Sequence, residues 1–270
     1  MLNKKLIAIV AVVLVIGIFA YRYFNKPEPT PIIVEQNLVT REVIGKSVEG
    51  REIESYTYGT GTQKLVFVGG MHGGYEWNSI ELAEKIMQYL EGNLGILPGG
   101  LSVVIIPNLN PDGIEKSAEG RFNANNVDLN RNFDCKWKPE STWQNKKVSA
   151  GKSAFSEPEA QALKNFVTEN NAQKNIKAFV FLHSAANAVY ASECKAGILP
   201  ETLDIMNAYA KASGYKAIKK FDSYEVVGDA EGWLASIQIP AITIELKTHE
   251  TIEWEQNLAG LKALLEYYSK

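Results

Sequence analysis

The chain contains only three histidines, His72, His183 and His249, and two of them stand where an apolar run stops. His72 follows Lys64–Val68 (KLVFV) and the turn residues Gly69-Gly70, while His183 follows Ile176–Leu182 (IKAFVFL). A third run, Ala241–Leu246 (AITIEL), carries Glu245 near its end, and Glu76 lies four residues beyond His72. Two imidazoles and one carboxylate form the ligand set of an open zinc site, with the fourth position left for water. Zinc brings the pKa of such a water to about 7, and a second carboxylate can then take its proton. His72 with Glu76 is the local pair, and either His183 or His249 completes the set. Arg121 and Arg131 flank Val127-Asp-Leu-Asn130. An isolated arginine on a loop is usually a solvated charge, whereas two around one motif suggest anion binding.

The elements that must hold these residues follow from patterning. Lys64–Val68, Leu101–Ile106 (LSVVII), Ile176–Leu182 and Ala241–Leu246 are short apolar runs, the pattern of strands buried on both faces. Arg51–Tyr58 alternates loosely and predicts a further strand. Helical spacing begins near Ser79 with Ile80, Ala83, Ile86, Met87 and Leu90. Further helices are expected over Ser156–Asn170, Pro200–Ser213, Asp229–Ser236 and Glu253–Tyr268. Asn78 with Glu81, and Ser156 with Glu159, have capping-box spacing, and Asn110-Pro-Asp-Gly113 predicts a turn. Buried strands alternating with amphipathic helices imply an α/β sandwich whose ligands bind at the C-terminal edge of the sheet. His72, His183 and Glu245 all fall at that edge. Trp77, Trp137, Trp143 and Trp233 are expected in the core or a pocket wall, and Lys146-Lys147 in a solvated loop.

Residues 1–26 differ from the rest. Lys4 and Lys5 precede fifteen residues without a charge, Leu6–Ala20, and Tyr21, Tyr23, Arg22 and Lys26 follow as an interfacial belt would. This predicts an uncleaved signal anchor, with a cleaved signal peptide as the alternative. Pro27, Pro29 and Pro31 then mark an extended linker over 27–35, and 36–270 reads as one domain outside the cytoplasm. The first 26 residues hold four basic and no acidic side chains. The remainder keeps 24 basic against 31 acidic groups, a net of −7. An acidic domain of this kind argues against nucleic acid as a partner.

The sequence resembles the M14 zinc carboxypeptidases over roughly residues 43–250. The resemblance rests on Ile44-Gly-Lys-Ser47, Glu49-Gly-Arg-Glu-Ile53, Gly70-Met-His-Gly-Gly-Tyr-Glu-Trp-Asn78, Asn110-Pro-Asp-Gly113 and Val127-Asp-Leu-Asn-Arg-Asn-Phe133. It continues through Leu182-His-Ser184 and from Tyr224 past Gly228 and Trp233 to Ile244-Glu-Leu246. VDLNRNF is the most specific of these segments, and their shared order strengthens the match. The resemblance implies a three-layer α/β/α sandwich with a mixed, mostly parallel sheet, and hydrolysis of a C-terminal peptide bond with one zinc ion. It implies His72, Glu76 and His183 as ligands, Glu245 as general base, and Arg121 as the group polarising the scissile carbonyl. Asn130 and Arg131 would grip the substrate's terminal carboxylate, and Tyr224 would close over it. Asp128 is expected to cap or turn its loop, and His249 to lie outside the ligand set.

Two features depart from the family. Three residues, not two, separate His72 from Glu76, and Gly73-Gly74 is expected to absorb the extra one. Ser184-Ala185-Ala186 follows His183, without the tyrosine of the digestive relatives. Glu231, two residues before Trp233, falls where the family sets side-chain preference. With Asp229 nearby it predicts a C-terminal residue of positive charge, unless both acids merely favour a helix N-terminus. Cys135 and Cys194 lie a few residues beyond the Asn130-Arg131 and His183 motifs, so a disulfide between them is expected in an oxidising compartment. The competing readings are a cell-wall peptidase cutting diaminopimelate-containing peptides, a deacylase of small amino-acid derivatives, and a metal-free binding module with the same fold.

Overall fold

Four apolar runs lie side by side at the centre of an eight-stranded sheet in the computed structural model, which describes residues 38–116 and 120–270. They are β3 (Gln63–Val68), β4 (Leu101–Ile106), β7 (Ile176–Ser184) and β10 (Ala241–Leu246), parallel neighbours in the order β4-β3-β7-β10. Strands flanked by helices on both faces need no polar side, which is why these segments lack period-two alternation. β1 (Val39–Lys46) and β2 (Glu52–Tyr58) add antiparallel strands beside β4. On the other side β8 (Ala188–Ala191) pairs antiparallel with β10 and parallel with β9 (Lys216–Ile218). A separate hairpin, β5 (Glu140–Trp143) and β6 (Lys146–Ser149), stands apart from the sheet.

Alternate residues of each central strand feed two cores. Leu65, Phe67, Val103 and Val180 pack with α1 (Trp77–Glu91), α4 (Pro200–Ser213) and α6 (Trp254–Tyr267). Val66, Val68, Val104 and Phe179 pack with α3 (Pro158–Asn170) and α5 (Ala230–Ser236). The result is a three-layer α/β/α sandwich with a mixed, mostly parallel sheet. By its internal contacts the chain divides into Met1–Gln36 and Asn37–Lys270. The expected anchor over 1–26 and linker over 27–35 lie outside the described residues, among which no helix is long and apolar enough to cross a membrane.

Several local expectations give way to tertiary contacts. Neither capping box forms: α1 begins at Trp77, and the Asn78 amide donates instead to the carbonyls of Thr248 and Thr251. Glu159 accepts from Val48 N–H and the Asn123 amide, tying α3 to the end of β1. The Asn110-Pro-Asp-Gly113 turn opens a short helix, α2 (Pro111–Lys116). Buried Asp112 there accepts from Ser47 and from Arg51, which accounts for the Ser47 and Arg51 motif positions. Trp77 is 43% exposed rather than in the core, and Lys146 and Lys147 form part of β6.

Cys135 and Cys194 are bonded to each other, 59 residues apart in sequence. Cross-linking a loop of this length contributes roughly 4 kcal/mol in the chain-entropy picture. The double variant Cys135→Ser/Cys194→Ser is therefore expected to unfold at distinctly lower denaturant, measured without reductant. Two reactive thiols in the unfolded, unreduced wild type would rule the bond out.

Candidate metal centre and active site

The C-terminal ends of β3, β7 and β10 supply the centre. After β3 the chain makes one 3-10 turn, Gly73–Glu76, which brings the Glu76 carboxylate back to the ring of His72. Gly73 makes this possible. Its φ is +49°, and a Cβ there would lie 2.7 Å from both Gly113 Cα and Gly120 O, so no other residue fits without strain. The two glycines thus take up the additional residue, and Tyr75 is turned toward the cleft. β7 presents His183, and its parallel register places Glu245 of β10 directly beside it.

His72 Nδ1 lies 2.8 Å from Glu76 Oε1, and His183 Nδ1 lies 2.7 Å from Glu76 Oε2. The two Nδ1 atoms are 3.1 Å apart. All three side chains are buried. Among the described residues they form the one group of histidine, cysteine or carboxylate side chains able to hold a metal ion. Two ring nitrogens and a carboxylate that converge in this way offer lone pairs that one divalent ion can share. Behind each ring lies a carboxylate: Asp128 Oδ1 is 3.3 Å from His72 Nε2, and Glu231 Oε1 is 3.5 Å from His183 Nε2. Neither Nε2 makes an aligned hydrogen bond. A carboxylate behind a histidine fixes the tautomer that leaves Nδ1 free to bind metal. The donor set therefore fits zinc.

The electrostatics follow from this packing. Burial opposes charge on Glu76, yet the two imidazoles hold it well below the usual carboxylate range. Burial likewise opposes charge on His183, but Glu76 and Glu231 raise it to about 10 in the metal-free chain. Glu245 is pushed up to about 8 by burial and by the charge of Glu76. Among the described residues its carboxylate has no hydrogen-bond partner, which leaves it free to face the cleft.

Arg121 and Arg131 flank the centre, both buried. Arg121 Nε donates to Asp128 Oδ2 at 2.9 Å, and its Nη1 lies 3.4 Å from Glu76 Oε1. Asp128 also accepts from Asn130 N–H and so caps the short turn Leu129–Arg131. Its links to Arg121 and His72 were not legible from its place in the motif. Arg131 donates to the carbonyls of Asn130 and Thr142, and among the described residues no carboxylate forms an ion pair with it. Its charge therefore remains available to a bound anion. Asn130 Oδ1 accepts from Ala230 N–H at 2.9 Å, tying this loop to α5. The tie is close: Gly228, with φ +71°, passes where a Cβ would lie 2.2 Å from the Arg131 carbonyl oxygen.

Tyr224 also lines the cleft, its ring edge-on to Phe221 at 4.8 Å. The cleft has a volume of about 730 Å³ and is lined by His72, Glu76, Arg121, Asn130, Arg131, His183, Tyr224, Glu231 and Glu245. Asp229 caps α5 by accepting from Gly232 N–H, the helix-end alternative, whereas Glu231 faces His183 and accepts from Thr243. His249 is outside the metal group, with Nδ1 2.8 Å from Ser184 Oγ and its ring against Tyr75.

The fold agrees with known proteins. A family profile, Peptidase_M14, zinc carboxypeptidase, matches residues 34–256. The chain belongs to the zinc carboxypeptidase family. It is 35% identical to mouse (Mus musculus) carboxypeptidase D over 123 residues, which is 38% of this chain and 9% of that protein. The chain thus matches only a small part of that relative. A second relative is the gamma-D-glutamyl-L-diamino acid endopeptidase 1 of Lysinibacillus sphaericus, 22% identical over 243 residues, 75% of this chain and 59% of that protein. The structure of bovine thrombin-activatable fibrinolysis inhibitor, in complex with tick carboxypeptidase inhibitor, superposes with a TM-score of 0.71. The identity is 20%, and 95% of each chain is covered; this likeness speaks for the fold.

Proposed function

We propose that the chain is a carboxypeptidase that hydrolyses the C-terminal peptide bond of its substrate with one zinc ion held by His72, Glu76 and His183. The observation that carries this reading is the convergence on one cleft of that group, two buried arginines and Glu245, which has no hydrogen-bond partner among the described residues. Zinc, when bound, supplies a Lewis acid that polarises a carbonyl and makes a nearby water more acidic. Arg131 and Asn130 hold the terminal carboxylate, a planar anion that a guanidinium can bind in bidentate fashion. Arg121 donates to the scissile carbonyl oxygen as negative charge develops there, help worth about 10²–10³ in rate for a single donor. Glu245 takes a proton from the attacking water and delivers it to the leaving amine. Tyr224 closes the cleft over the bound end. Metal content of the purified chain, together with release of the last residue from a peptide panel, tests this; a metal-free chain or one cutting only internal bonds would overturn it.

The preference we propose is for a C-terminal lysine, arginine or diaminopimelate. Of the two acids Asp229 and Glu231, the first caps α5, whereas Glu231 lines the cleft beside His183. The buried Glu231 carboxylate, which already accepts from Thr243 and faces His183, favours a cationic side chain over an apolar one. The ratio of kcat/KM for peptides ending in Lys and in Phe is expected to favour Lys and to fall about tenfold or more in Glu231→Ile. This ratio does not depend on metal occupancy, so the neighbouring His183 does not confuse it. A ratio unchanged by Glu231→Ile would remove the assignment. Peptides ending in diaminopimelate probe the cell-wall reading, which the match to the Lysinibacillus sphaericus endopeptidase favours as the second choice. We further propose an uncleaved N-terminal anchor with the domain outside the cytoplasm, supported by the apolar run over 6–20. Release of the full-length chain from membranes by an alkaline wash would contradict it.

A further inference from the structure

The β5–β6 hairpin belongs to neither core and adds no strand to the main sheet, yet it touches both arginines of the cleft. Thr142 O accepts from Arg131 Nη2 at 3.1 Å. The next residue, Trp143, lies with its ring 4.7 Å from the guanidinium carbon of Arg121. Arg121 is 5% exposed, so this contact is desolvated, the situation in which a cation and an aromatic face attract most strongly. Asp128 grips the same guanidinium from its Nε side.

Trp143 is itself held in place. Tyr75 meets it edge-on at 5.4 Å and Phe122 at 6.5 Å, with interplanar angles of 83° and 90°. Its cross-strand partner in the hairpin is Lys146. The hairpin is anchored in turn where Asp128 N–H donates to Ser149 O, and Ala150 N–H to Pro139 O closes its base. Tyr75 is one of the three residues between His72 and Glu76, so that loop is part of the same packing.

We infer that Trp143 is a positioning residue that holds the Arg121 guanidinium, through a cation–π contact, in the orientation needed to reach the scissile carbonyl. The inference rests on the role of Arg121 given above. A bidentate or stacked guanidinium loses rate when its plane is free to turn, because donor geometry toward the reacting oxygen sets the benefit. Asp128 holds one edge of the group and the Trp143 ring lies against it. Leucine at 143 would fill much of the space without a π face, and phenylalanine would retain one.

Two measurements on the full chain test this. In the zinc-loaded chain, Trp143→Leu is expected to lower kcat about tenfold with KM changed less than about twofold, and Trp143→Phe to restore most of kcat, since desolvated cation–π contacts are of that strength. In an Arg121→Ala background, Trp143→Leu should cost almost nothing more, as residues acting through one another are not additive. Equal kcat for the Leu and Phe variants, a change confined to KM, or the full loss in the Arg121→Ala background would overturn the inference. Independently of turnover, the Arg121 Hε resonance of the metal-free chain, assigned by its loss in Arg121→Lys, is expected upfield of ordinary arginine. It should return to the ordinary position in Trp143→Leu and stay displaced in Trp143→Phe. An ordinary position in the wild type overturns the inference even if Trp143→Leu fails to fold. Absent turnover with a displaced resonance would count against the proposed activity and not against the stacking.

Discussion

His183→Ala is expected to lose zinc and turnover together, while His249→Ala keeps the metal. The reason is geometric. His183 Nδ1 stands within 3.1 Å of both His72 Nδ1 and a Glu76 oxygen, so its removal leaves two protein ligands where an open zinc site uses three. It also leaves Glu76, 3% exposed, with one imidazole and a distant arginine contact to balance its charge. Breaking a buried pair by removing one partner typically costs about 3–5 kcal/mol, so this variant should also be less stable without metal. His249 touches Ser184 and Tyr75 instead and contributes no ligand. Zinc per chain after dialysis, measured beside turnover, separates the two variants. A His249→Ala protein devoid of zinc, or a fully loaded His183→Ala protein, would refute the assignment.

Glu245→Gln is the second large effect, and here metal and fold are expected to survive while turnover falls by at least about 10², the lower end for general acid–base catalysis. The amide matches the carboxylate in shape but cannot take a proton. In the metal-free chain, burial and the charge of Glu76 raise Glu245 to about 8. A divalent cation beside it draws that value back down, toward the range in which a carboxylate is ionised at neutral pH yet basic enough to accept a proton. Because no hydrogen bond among the described residues depends on Glu245, the substitution leaves few partners stranded. Turnover close to wild type in a metal-loaded Glu245→Gln chain would exclude Glu245 as the base.

Much of the site was legible because its parts sit on features that local chemistry dictates. An apolar run that stops at His183 or closes on Glu245 names both the strand and the edge at which it ends. The four central strands, α4 and the extent of β10 follow from burial on both faces, from proline at a helix start and from helical spacing. Other elements carry no such mark. β1 is exposed or half-buried along its length, and β5, β6, β8 and β9 have three or four residues each; their pairing depends on distant partners. Capping failed as a guide at Asn78 and Glu159 because each side chain had a tertiary partner more than 90 residues away. Trp143 reads as a core or pocket-wall residue in the sequence, and only the folded hairpin reveals that the ring lies against Arg121.

The position of β10 bears on when a newly made chain can act. It is the last strand in sequence but lies between β7 and β8 in the sheet. His72, Glu76 and His183 all precede it, so every proposed metal ligand has been delivered before residue 184. Glu245 arrives only when the strand that carries it has slid into an interior slot. Such long-range insertion is among the slower steps of folding, since loop closure precedes the contacts that reward it. The proposed base is thus the last member of the proposed catalytic set to reach the sheet.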